Sequence, residues 1–343
     1  MRSIPVKKEN GKYDRRKTAV IKTGLPDGAG LIDRRNSRME QNWYKFSGNP
    51  VIPSEKWGTI FDPFIMECRP PAKRFRMYLS WRPQNAIALT ESDDGIHWSD
   101  PQIVLSACPR GDNREFRINR ACVIELPGGK FRMYYSGQGP DTTQPKHACI
   151  FAAESENGIH WNRIPGFVFS PDGNWQTCGV MCPHVLYDRE AGLYKMWYSG
   201  MNDPGIHYEP DAIGYAESRD GLAWEQPFTA PVFRAEHVPG GKLVKVTAAQ
   251  IIKAENFYYM FYIGFESHSR ATVCLCRSRT GTGEWEQHPE NPIVAPGEGC
   301  WDHDACYKPA VCSVFGKVML WYNGRKASSE QIGLVLKNSP GFW

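Results

Sequence analysis

Ser92-Asp93-Asp94-Gly95-Ile96-His97-Trp98, Ser155-Glu156-Asn157-Gly158-Ile159-His160-Trp161 and Ser218-Arg219-Asp220-Gly221-Leu222-Ala223-Trp224 are near-copies of one phrase. Their tryptophans recur with a period of 63 residues, and a weaker copy ends at Trp285. A fixed period of this length marks a repeat architecture. Repeated positions build the scaffold, so chemistry is expected where the copies differ.

Outward from the phrase, every unit keeps one internal order. A short apolar strand comes first, as in Phe64-Ile65-Met66, Ala121-Cys122-Val123-Ile124 and Ala310-Val311-Cys312. After a turn comes an aromatic-rich strand, such as Phe131-Arg132-Met133-Tyr134-Tyr135-Ser136 or Tyr194-Lys195-Met196-Trp197-Tyr198-Ser199. A third strand follows, as in Cys149-Ile150-Phe151-Ala152-Ala153. The Asp-Gly or Asn-Gly of the phrase supplies the positive φ of a hairpin, and its Trp opens an outer strand. Aromatic runs of alternating character suit strands on packed sheets.

Four strands per unit and five units predict an all-β, five-bladed β-propeller with four-stranded antiparallel blades. The fifth unit ends before a fourth strand. An N-terminal stretch, Tyr44-Lys45-Phe46 or Asn49-Pro50-Val51-Ile52, is therefore expected to close the ring. Residues 1–42 read as a partly irregular N-terminal arm, and 43–343 as a single propeller domain.

Bulk properties narrow the partners. A net charge of +4 over 343 residues, without a Lys/Arg-rich block, argues against nucleic acid. No apolar run approaches the length of a membrane span. Eleven cysteines with no CxxC pair, several inside apolar runs, read as reduced buried thiols. With no signal-peptide pattern after Met1-Arg2-Ser3, the expected location is the cytoplasm.

Asp-Pro at the first inner strand, second strands of the "MYYSG" kind and the S-x-D-G-x-x-W turns resemble the five-bladed propeller glycosidases. That group holds the invertases, levansucrases, the arabinanase/xylosidase type (glycoside hydrolase family 43/32-like) and related phosphorylases. The resemblance covers roughly residues 43–338. It implies carboxylates at the axial ends of inner strands: one as nucleophile or base, one protonating the leaving oxygen, a third orienting. Asp62, in Phe61-Asp62-Pro63, matches the first. Arg120 stands in Asn119-Arg120-Ala121 where a second carboxylate is implied. Met181, in Met181-Cys182-Pro183, stands where the general acid belongs, and a thioether cannot exchange that proton.

Asp304, Glu115 and Glu266 are the candidates to replace the missing acid. Trp81, Arg82, Arg117, Arg120, His184, His303, Lys308 and Arg325 are candidates for substrate binding, since rings stack on aromatics and hydroxyls need polar partners. Arg110, Arg114, Arg117 and Arg120, with Lys308 and Arg325, also suit an anionic substrate. No cofactor is implied. His303 with Asp302 and Asp304, or His207 with Glu209 and Asp211, lacks a specific metal spacing, so no metal is assigned.

The sequence therefore reads as a glycosidase-like, carbohydrate-active enzyme that hydrolyses or transfers a glycosyl group of a small or oligosaccharide ligand. Two alternatives stand beside it: a non-catalytic glycan-binding propeller, and a biosynthetic enzyme acting on an acidic small molecule.

Overall fold

The computed structural model describes residues 42–109, 114–141, 146–202 and 209–343. The described residues all belong to one compact unit, which spans 41–343. The expected N-terminal arm lies outside the described residues, except for Asn42.

This unit is all-β, apart from a single α-helical turn and two short 3-10 turns among the described residues. After β1 (Trp43–Lys45), the chain runs through consecutive antiparallel meanders. The first is β2 (Ile60–Glu67), β3 (Phe75–Trp81), β4 (Ala86–Ser92) and β5 (Gln102–Ser106). The second is β6 (Arg117–Glu125), β7 (Phe131–Gln138), β8 (Ala148–Ser155) and β9 (Asn162–Phe169). The third is β10 (Gly179–Asp188), β11 (Leu193–Met201), β12 (Ala212–Ser218) and β13 (Phe233–Arg234). The fourth is β14 (Lys245–Ala254), β15 (Phe257–Phe265), β16 (Ala271–Ser278) and β17 (Glu286–Gln287). The last comprises β18 (Ala305–Val314), β19 (Lys317–Lys326) and β20 (Ser329–Lys337), and β1 pairs antiparallel with β20 as its fourth strand. The other candidate closing stretch contributes one bridge, Ile52 to Ile332.

First strands pack on one another in sequence: β2 on β6, β6 on β10, β10 on β14, β14 on β18, and β18 on β2. The repeated phrase explains how neighbouring meanders adhere. In each copy the Ser hydroxyl accepts the Gly N–H, as Ser92 does from Gly95 at 2.8 Å, and the Asx carboxyl or amide oxygen accepts the next two N–H groups. The Gly carbonyl is thereby presented to a second-strand ring of the neighbouring meander. Trp321 Nε1 donates to Gly95, Tyr78 to Gly158, Tyr134 to Gly221 and Trp197 Nε1 to Gly281, at 2.7–2.9 Å.

The phrase tryptophans then cap the same rings edge-on: Trp98 on Trp321, Trp161 on Tyr78 and Trp224 on Tyr134. Trp43 does the same to Phe261. It is thus the fifth copy, displaced to the other end of the sequence. Phe261 has no polar tip, and Phe342 packs on it. Trp161 and Trp285 directly precede β9 and β17, whereas after Trp98 and Trp224 the outer strands start later, at Gln102 and Phe233.

Every first strand also breaks register once, near its start. The bulged residues are Asp62, Arg120, Cys182, Ala248 and Lys308, all at positive φ between 35° and 58°. The repeated serine of the second strand explains how this strain is held. Ser80 accepts the Arg120 N–H, Ser136 that of Cys182, and Ser199 that of Ala248; Asn323 replaces Ser and accepts the Asp62 N–H. All eleven cysteines are free thiols.

Candidate functional site

The starts of β2 and β6, with the loops beside them, wall a cavity of about 600 Å³ whose lining includes Phe61, Trp81, Arg82, Phe116, Asn119 and Glu209. At the bulge, Asp62 is only 5% exposed. Its Oδ2 lies 3.5 Å from Arg120 Nε and accepts no hydrogen bond among the described residues. Arg120 Nη2 lies 3.5 Å from Glu209 Oε2, so adjacent nitrogens of one guanidinium face two carboxylates. Its Nη1 points at Met181 Sδ, 3.5 Å away, and Gln138 Nε2 approaches the same sulfur at 3.7 Å. Burial alone would lower the Arg120 pKa; the fields of Cys182, Asp62, Glu209 and Glu330 outweigh it and keep the guanidinium charged.

A third carboxylate completes the group. Glu330, 8% exposed at the start of β20, accepts from Arg82 Nη2 and from Asn323 Nδ2, each at 3.2 Å. Asn323 therefore holds both acids, taking the Asp62 N–H at 3.3 Å on Oδ1 while its Nδ2 holds Glu330. Burial pushes the Glu330 carboxyl up to about 7, with Asp62 and Glu209 adding to the rise and Arg82 and Arg325 opposing it. A carboxylic acid that keeps its proton near neutrality can donate it.

Of the residues singled out in the sequence, Trp81, Arg82, Arg117 and Arg120 line this cavity, and Asp62 lies against Arg120. Trp81 Nε1 donates to the Trp57 carbonyl, and Arg82 lies over the Phe61 ring at 4.6 Å. Arg117 is exposed over Phe116. The three expected replacement acids are engaged in local pairs instead. Glu115 accepts from Tyr135 and Arg163, at 2.7 and 2.9 Å. Asp304 accepts the Ala327 N–H at 2.7 Å and so caps the turn between β19 and β20. Glu266 pairs with Arg270 in an exposed turn.

His303 is exposed, its Nδ1 accepting the Gly299 N–H, and Arg325 donates to the Ser269 carbonyl. Asp302 has a structural partner set: Lys45 at 2.5 Å and Tyr322 at 2.7 Å, which ties β1 to the last meander. His184 lies two residues past its bulge, with Nε2 2.9 Å from the Ile251 carbonyl. Burial, with the Lys308 charge, drives its pKa down to about 3, so the ring stays neutral. Lys308 is buried at the β18 bulge. Arg110 and His207 lie outside the described residues. Among the described residues no three His, Cys, Asp or Glu converge as metal ligands.

Glu330 is the residue that sequence reasoning missed. Its signal was positional. In the register of second and third strands it faces Arg325, the place where Ala148 faces Gln138 and Ala271 faces Phe265. A glutamate where the second and fourth meanders carry alanine departs from those copies at this place.

No family model matches the chain. The uncharacterized protein Rv1502 of Mycobacterium tuberculosis is 29% identical over 151 residues, which are 43% of this chain and 45% of that protein. The chain thus matches less than half the length of that relative. Among solved structures, an N-acetylgalactosamine deacetylase from F. plautii in complex with blood group B trisaccharide superposes with a TM-score of 0.66. Identity there is 15%, over 86% of this chain and 95% of that one. A thermostable family-43 glycoside hydrolase gives a TM-score of 0.63 at 17% identity, over 83% and 91% of the two chains. At such identities the likeness establishes the fold: a β-propeller of the kind that glycoside hydrolases carry.

Proposed function

We propose that this chain is a glycosidase-like, carbohydrate-active enzyme whose five meanders are the four-stranded blades of a closed propeller. In this reading the cavity at Asp62 is its active site. The unbroken cycle of contacts between first strands supports the closed ring. The observation that carries the chemistry is the set Asp62, Glu209 and Glu330, gathered by Arg120 and Asn323. Glu330 is assigned as the general acid, protonating the leaving glycosidic oxygen. Asp62 is the nucleophile or base: it attacks the anomeric carbon itself, or takes a proton from the attacking water. Glu209, paired to Arg120, orients the site. Arg120 sets its guanidinium 3.5 Å from the buried Asp62 side chain.

The aromatic and arginine walls, Phe61, Trp81 and Phe116 with Arg82 and Arg117, suit a sugar ring bearing a negative group. The test is release of chromophore from a panel of aryl glycosides, neutral and uronic, in long incubations. Asp62→Asn and Glu330→Gln are each expected to cut turnover by about 10²–10⁴ with folding retained. Activity of the wild type should fall as pH rises through 7, where Glu330 loses its proton. Full turnover in both variants ends the assignment.

A second reading is favoured by one observation, Arg120 and Met181 standing where the glycosidase resemblance implies carboxylates: a propeller that binds glycans without cleaving them. Calorimetric binding of an oligosaccharide recovered intact would select it.

A further inference from the structure

The residue just before each bulge holds an equivalent place in the five meanders: Phe61, Asn119, Met181, Thr247 and Tyr307. Four of the five are engaged. Phe61 lies under Arg82 and Tyr307 under Arg325, Arg120 and Gln138 approach the Met181 sulfur, and Thr247 Oγ1 donates to Ser199 Oγ. Asn119 differs: its amide makes no hydrogen bond among the described residues, and its Oδ1 is buried.

The second strands show the same contrast. Two residues beyond the partner of each pre-bulge residue stand Arg82, Gln138, Met201, Phe265 and Arg325. Arg82 is held by Glu330 and Arg325 by the Ser269 carbonyl, while Met201 and Phe265 are core. Gln138 is 9% exposed, yet its Nε2 has only the Met181 sulfur, 3.7 Å away, and a thioether is a weak acceptor. Its Oε1 takes no hydrogen bond among the described residues.

Asn119 pairs with Ser136 and Arg117 with Gln138, so alternation along the strands sets both amides on one face of the β6–β7 pair. Both line the cavity of about 600 Å³ beside the Asp62–Arg120 pair. A buried amide without a partner is costly, and a ligand that supplies the partner offsets that cost.

We propose that Asn119 and Gln138 read the hydroxyls of the sugar ring that enters this cavity. The inference deepens the carbohydrate-active reading and rests on it. An amide sets a donor and an acceptor side by side and turns over about its soft last torsion. It therefore matches neighbouring hydroxyls, each of which gives and takes a hydrogen bond. Being uncharged, the two amides serve the neutral part of the ring and leave an anionic group to the arginines. A sugar that lacks the hydroxyl leaves them unpaired again, which makes the discrimination sharp.

Isothermal titration of the methyl glycosides of glucose, galactose, xylose, arabinose and glucuronic acid selects the tightest parent. Its monodeoxy analogues are then titrated against wild type, Asn119→Leu and Gln138→Leu. Wild type is expected to bind the parent about tenfold or more tighter than at least one monodeoxy analogue. Each variant should lose about tenfold toward the parent and bind one such analogue as tightly as the parent. Asn119→Ala and Gln138→Ala repeat the titrations without the bulk of leucine and should lose the same preference.

Parent binding that ignores the substitutions overturns the inference and leaves the carbohydrate-active reading standing. So does a loss that is equal for the parent and every deoxy analogue, since that marks a structural role for the amides. No binding by any parent overturns the inference together with that reading. If the amides set the hydroxyl preference and no aryl glycoside is ever cleaved, the inference stands and the hydrolase reading falls.

Discussion

The phrase turns and the strand starts of this molecule obey opposite rules. At the turns, four meanders repeat one device: a Gly whose N–H is held by the phrase Ser and whose carbonyl meets a donor ring from the neighbouring meander. Three of them add an Asx oxygen and an edge-on Trp. At the strand starts the backbone device is just as regular, one bulge at positive φ per meander, but its side chains are Asp, Arg, Cys, Ala and Lys. Regular backbone with irregular side chains separates the two tasks. The turns hold the meanders together, and the bulges carry five different side chains at equivalent positions, two of which, Asp62 and Arg120, meet. Left-handed backbone on non-glycine residues is costly, and it persists here because Ser80, Ser136, Ser199 and Asn323 each bind a bulge N–H.

This contrast breaks most visibly if the two regions respond alike to substitution. The largest effect is expected at the bulges and on turnover alone: Asp62→Asn should lose activity by orders of magnitude while the melting temperature hardly moves. Gly95→Ala should do the reverse. Gly95 has φ +76°, and an added Cβ would stand 2.6 Å from Trp321 Cζ2 and 2.9 Å from Met319 Cε. Urea unfolding should show a loss of about 2–4 kcal/mol, with turnover per folded molecule unchanged.

Glu330 gives a subtler test, because its pKa is raised rather than lowered. Folded Glu330 keeps its proton up to about 7 against an ordinary value of 4.5, so between those values the folded state binds more protons than the unfolded one. Stability from this group is therefore present at low pH and declines as pH rises toward 7. Glu330→Gln should remove that decline, leaving the variant more stable than wild type by up to about 3 kcal/mol near pH 8 and equal to it near pH 4. A variant less stable at alkaline pH would mean that the buried carboxylate is a structural anchor.

The smallest effect concerns ring closure. Phe261→Tyr places a hydroxyl against Trp43 and Phe342, where the Gly carbonyl found in the other meanders has no counterpart among the described residues. It should cost about 1–3 kcal/mol. If the variant is neutral, a hidden acceptor serves the closing meander and the asymmetry argued here is wrong.

The scaffold was legible because repetition exposes it. The period of the tryptophans, the Asp-Gly turns and the "MYYSG" strands led to the meander order, and the missing fourth strand of the last unit pointed to the N-terminal side. Trp43 as the displaced fifth tryptophan was not read, since a copy without its Ser-Asx-Gly has no phrase around it.

At the site, Asp62 and Arg120 were found by alignment on the inner strands, and the structure puts them 3.5 Å apart. Asp304, Glu115 and Glu266 lie on loops that reach the mouth in sequence order. Each is instead bonded to a turn N–H, a tyrosine or an arginine of its own neighbourhood. Sequence shows which loop a carboxylate rides on, but not which partner claims it first. Glu330 escaped for the complementary reason: it sits one residue before the recognised apolar strand, and only burial beside Asn323 makes it chemically unusual.

Both the acid assignment and the separation of scaffold from chemistry depend on a Glu330 that keeps its proton near neutrality. Infrared difference titration of the carboxyl C=O band, wild type minus Glu330→Gln, reads this without a substrate. The expected result is a single protonated carboxyl that persists near neutrality, titrates around pH 7 and is absent from the variant. A difference spectrum whose only carboxyl titration lies below about pH 5, in the ordinary range of glutamate, would contradict it.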